Sequence, residues 1–301
     1  MSDLSLRTAG LPASSAGASV HDFWLLLKPR VMTLVVFTGA VGLVLAPGHI
    51  HPVQAVIAIL CIAAGSGASG AINMWYERDI DALMRRTKNR PLPAGRMMPG
   101  EALGFGIMLA TAAVLIMAIA VNLVAAASLA AAIGFYVVIY TVALKRRTSQ
   151  NLVIGGAAGA FPPVVGWAAV TGDVGWPALA LFALIFLWTP PHFWSLALYR
   201  ADDYAKAGVP MLPVVAGAHA TRFQILIYTL LLWPVALAPT LIGMVGWIYG
   251  AAAILLDLAF TALAVRLMIE RTDRAARSMF GFSLLYLFLL FALLLVDRVL
   301  A

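Results

Sequence analysis

The chain has 301 residues, 63% of them hydrophobic and only 11% charged, with a formal net charge of +7. A soluble domain carries about a quarter charged residues, so a water-soluble globular fold is excluded. Nucleic acid is excluded as a partner, because the basic residues are placed like orientation signals along a membrane protein.

Residues 1–22 read as a disordered cytoplasmic tail rich in Ala, Ser and Gly. Arg7 is the only basic residue before Lys28, too few for a mitochondrial presequence, and the stretch is too polar for a signal peptide. Residues 23–301 read as one transmembrane domain. A helix needs about 20 apolar residues to cross a hydrocarbon core roughly 30 Å thick. Nine segments qualify: 31–47, 53–76, 102–120, 123–143, 153–171, 177–198, 223–243, 246–268 and 279–297. They are continuous, without the two-residue alternation of barrel strands. The expected class is therefore all-α, a polytopic membrane protein. The single cysteine, Cys61, lies inside the second segment and reads as a packing residue.

The connections alternate in charge. The tail, residues 77–101, and the connections near 145, 200–222 and 266–277 hold 19 of the 20 basic residues; the opposite connections hold none, and Arg298 lies at the far end. The positive-inside rule places the N-terminus in the cytoplasm and the C-terminus outside.

Acidic residues gather on that same side. Asn73, Glu77 and Asp81 close the second span at four-residue spacing, hence on one helical face and about 6 Å apart along the axis. Stacked carboxylates repel unless a cation lies between them. Oxygen ligands of this kind suit Mg²⁺, which completes its shell with water and phosphate oxygens. Asp79 points the other way. The run Arg85-Arg-Thr-Lys-Asn-Arg90 follows, with guanidinium forks that match a diphosphate. A second cluster, Tyr199-Arg-Ala-Asp202-Asp203-Tyr-Ala-Lys206, closes the sixth span on the same side. Two acidic helix ends surrounded by basic residues are suited to holding metal ions against one diphosphate. Pro190 and Pro191 precede His192 in the sixth span and are expected to distort it there.

These residues resemble the UbiA-type intramembrane prenyltransferases, and within that family its heme-farnesylating branch. The shared N-x-x-x-(D/E)-x-x-x-D motif stands here as Asn73, Glu77 and Asp81. Further matches are Lys28-Pro-Arg30, Arg85 to Pro93, Tyr140 to Arg146, Gly155 to Pro163, Thr189-Pro-Pro-His-Phe-Trp194 and Gly208 to Pro213. They cover about two-thirds of the chain. The Thr-Pro-Pro-His-Phe-Trp stretch carries the heme branch; the first motif is common to many prenyltransferases. Glu77 departs from the usual aspartate. The second motif is irregular against D-x-x-x-D, offering Asp202, Asp203 and Lys206, so the number of Mg²⁺ ions is open.

The resemblance implies a UbiA-type bundle of about nine helices in a bacterial inner membrane. It implies farnesyl transfer from farnesyl diphosphate to a vinyl group of heme B, with water added, Mg²⁺ as cofactor, and a heme A synthase or oxidase assembly factors as partners. Asn73, Glu77, Asp81 and Asp203 would be catalytic and would hold the metal, with Asp202 secondary. Lys28, Arg30, Arg86, Arg90, Lys145, Arg146, Tyr199, Lys206 and His192 would contact substrate. His192 has three candidate roles: axial ligand of the heme, propionate partner, or proton carrier. The rings of Trp75 or Tyr136 would steady an allylic cation. Two rivals are a prenyltransferase for another aromatic or chlorophyll-like acceptor, and an ion-coupled transporter.

Overall fold

The computed structural model describes residues 17–300; the expected tail lies outside the described residues up to residue 16. Regular structure among the described residues is entirely helical, in thirteen helices counting one composite span. Helix α1 (Val20–Leu26) starts with a reciprocal cap. Ser19 Oγ accepts from Asp22 N at 3.2 Å and donates to Asp22 Oδ2 at 2.7 Å. Asp22 Oδ1 accepts from Arg96 Nε at 2.8 Å, tying α1 to a connection 74 residues away. Lys28 then takes a left-handed φ of 53°, uncommon for a residue with a Cβ, and α2 (Pro29–Leu45) leaves at 53° to α1. Pro29 suits the first position because that N–H lacks an intrahelical partner anyway.

Helices α3 (Pro52–Tyr76) and α4 (Arg78–Leu83) follow, then α5 (Pro99–Ala120) and α6 (Leu123–Leu144). Next come α7 (Asn151–Thr171), α8 (Trp176–Leu198), and two short helices, α9 (Ala201–Lys206) and α10 (Leu212–Val215). The chain closes with α11 (Gly217–Leu241), α12 (Trp247–Glu270) and α13 (Asp273–Leu300). Among the described residues eight helices are long and apolar enough to cross a membrane, and nine spans result when the bent α1–α2 pair counts as one. The nine correspond in order to the nine predicted segments. The first was the shortest, and α2 has only 17 residues.

Sequential spans pack as neighbours, and α13 returns to α2 and α8 to close the bundle. Helix α7 is the most enclosed span, held between α2, α6 and α8. Its closest approach is to α2: a Cβ on Gly42 would collide with the Pro163 backbone, and one on Gly166 with the Gly39 backbone. Association in lipid gains nothing from apolar burial alone, so close backbone packing at small residues carries it. Helix α8 runs unbroken through Pro190 and Pro191, both buried, where a distortion was expected. Neighbouring helices accommodate prolines inside spans, and here they enclose both rings.

Helix α6 changes character halfway. Residues Phe135–Leu144 form a wider helix, and Lys145 N reaches Tyr140 O at 2.9 Å. Such widened turns lengthen the side-chain repeat from four residues toward five. Tyr136, Tyr140 with Thr141, and Lys145 therefore come round to one face, where an ordinary helix would have rotated Lys145 away.

Candidate active site

Asn73, Glu77 and Asp81 share one face although the helix breaks between them. Glu77 leaves helical geometry at φ −96°, ψ 8°, yet Glu77 N still bonds Asn73 O at 2.9 Å and Asp81 N bonds Glu77 O at 2.8 Å. The i, i+4 stacking survives the joint between α3 and α4. All three side chains are buried, at 2%, 1% and 1% exposure. Polar groups this enclosed require partners, and each has one.

Lys145 Nζ donates to Glu77 Oε2 at 2.5 Å, and Arg90 Nη1 to Asp81 Oδ2 at 2.6 Å. Lys28 Nζ donates to Asn73 Oδ1 at 2.7 Å and lies 3.5 Å from the Tyr136 hydroxyl. The Asn73 amide in turn donates to Thr141 Oγ1 at 3.1 Å, which donates onward to Tyr136 O. The left-handed turn at Lys28, the widened face of α6 and the connection after α4 thus converge on one cluster. It contains Lys28, Arg90 and Lys145 against Glu77 and Asp81, an excess of one positive charge before Arg86 and Arg200 are considered. A partly enclosed site with that balance attracts a polyanion. The connection is pinned from below as well, by Thr87 Oγ1 donating to Asp81 O at 2.8 Å.

Glu77 Oε1 is buried without a hydrogen-bond partner among the described residues. An orphaned carboxylate oxygen one helical turn from a second carboxylate and from a carboxamide suits a hard divalent cation. Among the described residues no three His, Cys, Asp or Glu side chains stand close enough to cage a metal by themselves. Mg²⁺ fits that shortfall, since it keeps waters and draws on substrate phosphates.

The second cluster is looser. Arg200 Nη1 lies 3.8 Å from Asp203, and Arg200 Nε has no partner among the described residues. Arg86, Arg200, Asp203, Tyr204 and Met84 line one narrow crevice, so α9 and the α4 connection face each other. Asp202, Lys206 and Arg30 are exposed. Tyr199 lies beneath the guanidiniums of Arg200 and Arg277, 5.6 and 5.1 Å from its ring. Arg146 turns to Asp79 at 2.6 Å, on the outer side of the joint. Its guanidinium holds the Asp79 carboxyl below the usual carboxylate range. Of the two aromatic candidates, Tyr136 belongs to the Lys28 cluster, whereas Trp75 stacks with Arg78 at 5.6 Å.

His192 is buried on another face, between α8 and α13. Its ring is stacked between Trp188 and Phe280, centroids 4.4 and 4.7 Å away. Nδ1 lies 2.6 Å from Ser283 Oγ, whose own hydroxyl donates to Phe280 O at 2.6 Å. With that proton committed, Ser283 Oγ accepts from His192, which places the imidazole proton on Nδ1 and leaves the lone pair on Nε2.

Sequence reasoning passed over Tyr140, Thr141 and Ser283. The first two lay inside a matched motif, and the widened helix that exposes them has no composition signal. It also passed over Asp257, enclosed in α12 and accepting from Tyr286 at 2.6 Å, although an acid within a span is itself a signal.

A bundle of spanning helices with a charged chamber at one end makes this an integral membrane protein. Residues 35–293 match the UbiA prenyltransferase family, and the chain belongs to it. The protoheme IX farnesyltransferase of Granulibacter bethesdensis is 59% identical over 290 residues, covering 93% of this chain and 92% of that one. Protoheme IX farnesyltransferase 2 of Nitrobacter winogradskyi is 57% identical over 303 residues, covering 99% and 97%. Among solved structures, digeranylgeranylglyceryl phosphate synthase superposes with a TM-score of 0.78 at 16% identity, over 93% of this chain and 99% of that one. A UbiA homologue from Archaeoglobus fulgidus bound to GPP and Mg²⁺ gives 0.70 at 18%, over 91% and 99%.

Proposed function

We propose that this chain transfers the farnesyl group of farnesyl diphosphate to a vinyl group of heme B, with addition of water, giving heme O and diphosphate. The observation that carries the reading is identity above half, over nearly the whole chain, to protoheme IX farnesyltransferases. The geometry supports it through the charge balance of the buried cluster.

Glu77, Asp81 and Asn73, with Asp203 and secondarily Asp202 from the facing cluster, would hold Mg²⁺. When bound, the metal supplies positive charge to the departing diphosphate. Lys28, Arg90 and Lys145 would supply fixed positive charge to the same space, while Arg86 and Arg200 line the crevice between α9 and the α4 connection. The carbon–oxygen bond to diphosphate breaks, with the electron pair leaving on oxygen. The vinyl π electrons then form the new carbon–carbon bond to the allylic cation. Water adds to the second cation beside the porphyrin and gives up a proton. The neighbouring rings of Tyr136 and Tyr140, 5.3 Å apart, would steady the allylic charge. The Nε2 lone pair of His192 suits iron ligation or acceptance of that proton.

We further assign Arg30, Lys206 and Tyr199 to the cytoplasmic rim where the substrates enter, and Arg146 to holding the α3–α4 joint beside it. The N-terminus lies in the cytoplasm and the C-terminus outside, in a bacterial inner membrane. A heme bearing a farnesyl tail passes onward to a heme A synthase or an oxidase assembly factor.

The test is turnover by the purified protein in lipid nanodiscs with farnesyl diphosphate, heme B and Mg²⁺. A heme of greater mass, with one diphosphate released per product, is expected. Prenylation of hydroxybenzoate with heme untouched would overturn the acceptor. Glu77→Ala and Asp81→Ala variants that insert normally yet keep full turnover would overturn the metal site.

A further inference from the structure

We propose that Arg200 and Arg277, whose guanidiniums share the Tyr199 ring, clamp the two propionate carboxylates of the heme, with the macrocycle lying along the aromatic column that descends from that ring to His192. This rests on the farnesyl-transfer reading and adds the seat of the acceptor, which that reading leaves open.

The two arginines come from helices far apart in the chain. Arg200 follows the end of α8, and Arg277 stands in the second turn of α13. Their guanidiniums lie 5.6 and 5.1 Å from the centroid of the one Tyr199 ring. Like charges gathered at one ring repel each other unless anions offset them. The acids at hand do not. Asp203 stays 3.8 Å from Arg200, and Arg200 Nε is buried without a partner among the described residues. Arg277 forms no ion pair among the described residues, although Asp273 stands one turn before it. Arginines that fasten the fold are paired closely, Arg90 with Asp81 and Arg146 with Asp79 both at 2.6 Å. The Tyr199 pair is set for anions that the chain does not supply.

What lies below the pair decides the kind of anion. Tyr199 meets Phe280 edge-on at 6.4 Å, and Phe280 stacks on His192 at 4.7 Å. Trp188 covers the other face of His192 at 4.4 Å, and its Nε1 donates to Ser283 O at 2.8 Å, which fastens the column across α8 and α13. Tyr199 and Phe280 are only half-buried. His192 has both faces stacked and Nδ1 on Ser283, so its 6% exposure belongs to the edge that carries Nε2. A small inorganic anion makes no use of such a column. A flat apolar ring with two carboxylates on one edge uses both parts, and heme is such a molecule.

The register agrees. Along α8, Tyr199 lies seven residues after His192; along α13, Arg277 lies six before Ser283. At about 1.5 Å per residue these are intervals of roughly 10 and 9 Å, comparable with the reach from the centre of a porphyrin to the ends of its propionate arms. Arg200 also lines the crevice with Arg86, facing the α4 connection that brings Arg90 to Asp81. It therefore borders the clamp on one side and the approach to the charged cluster on the other.

The experiment titrates full-length protein in nanodiscs with heme B and with heme B dimethyl ester, whose propionates carry no charge. Binding is followed in the Soret band against empty nanodiscs. Wild type should bind the acid about tenfold more tightly than the ester, the scale of hydrogen bonds to charged groups. Arg277→Gln should lower that preference about three- to tenfold, since charge-assisted forks at a rim open to water fall below the buried scale. Arg277→Lys keeps the charge without the fork and should retain part of it. Displacement of labelled farnesyl diphosphate should be unchanged in Arg277→Gln. Equal affinity of wild type for acid and ester would overturn the clamp, as would an unaltered preference in Arg277→Gln. Parallel loss of farnesyl diphosphate and heme binding would also overturn it, by assigning the arginine to the diphosphate. If Arg277→Gln does not accumulate, Arg200→Gln should lower the preference, and no change there overturns the clamp as well. The acid-to-ester ratio reports the clamp without any transfer taking place, whereas the mass of the heme product reports the reaction.

Discussion

Glu77 and Lys145 form the most enclosed ion pair at the site, with side-chain exposures of 1% and 15%. Removing one partner of a buried pair leaves a charge without compensation and costs about 3–5 kcal/mol. Glu77→Gln keeps the shape and one acceptor, so the lower end is expected; Lys145→Met strands the carboxylate and belongs at the upper end. The double variant Glu77→Gln/Lys145→Met removes both charges and should recover most of that loss, because an uncharged pair carries no desolvation penalty. Activity should behave differently. If Glu77 meets the metal and Lys145 the diphosphate, each single change lowers turnover by ~10²–10³, the scale for losing one electrostatic stabiliser, and the double change lowers it further. Thermal unfolding in nanodiscs gives the stability cycle, and diphosphate release with heme and farnesyl diphosphate gives the activity cycle. A double variant that regains activity together with stability would refute the reasoning and leave the pair with a folding role only.

Three further outcomes follow from packing and charge. Gly42→Ala should destabilise by about 1–3 kcal/mol, as overpacking does, because its Cβ meets the Pro163 backbone; Gly104→Ala, with nothing within 4 Å, should leave the melting temperature unchanged or raised. Ser283→Ala should cost about 1–3 kcal/mol, since His192 Nδ1 loses its acceptor in a buried setting; Ser283→Thr keeps the oxygen and should retain more of the stability. Asp79, depressed by Arg146, contributes stability above the unfolded carboxylate pKa and loses it as pH falls through the lower folded value. Asp79→Asn should therefore flatten the acid limb of the melting curve below about pH 4. The effect should be small, because the Asp79 side chain is 61% exposed.

The spans were legible because each is a long apolar run and the charges between runs alternate; both are one-dimensional signals. The Asn73, Glu77 and Asp81 set was legible because helical spacing survives the break at Glu77. What was not legible depends on contacts between distant segments. Residues 135–144 read as an ordinary apolar span, and nothing in their composition announces the wider turn that swings Lys145 inward. The basic residues near 85–96 look alike in sequence, yet Arg90 turns to Asp81 while Arg96 turns to Asp22 on α1. His192 stood out as a polar residue in a span, but its partner Ser283 lies 91 positions away.

The same division explains how one set of cations serves orientation and site chemistry. Orientation needs only that Lys and Arg gather on one side of the membrane, and exposed Arg30, Lys88 and Lys206 meet that requirement. A diphosphate site needs cations whose position is fixed before the substrate arrives, because rearrangement during bond cleavage raises the barrier. Lys28, Arg90 and Lys145 meet that second requirement, each held on a separate backbone irregularity: the left-handed turn, the connection pinned by Thr87, and the widened end of α6. Three cations delivered by three distinct devices to Asn73, Glu77 and Asp81 are more than membrane orientation requires. Substituting Lys88 should accordingly leave turnover near wild type, whereas Lys28→Met should reduce it without altering insertion. Equal losses from both would return the cluster to an orientation signal.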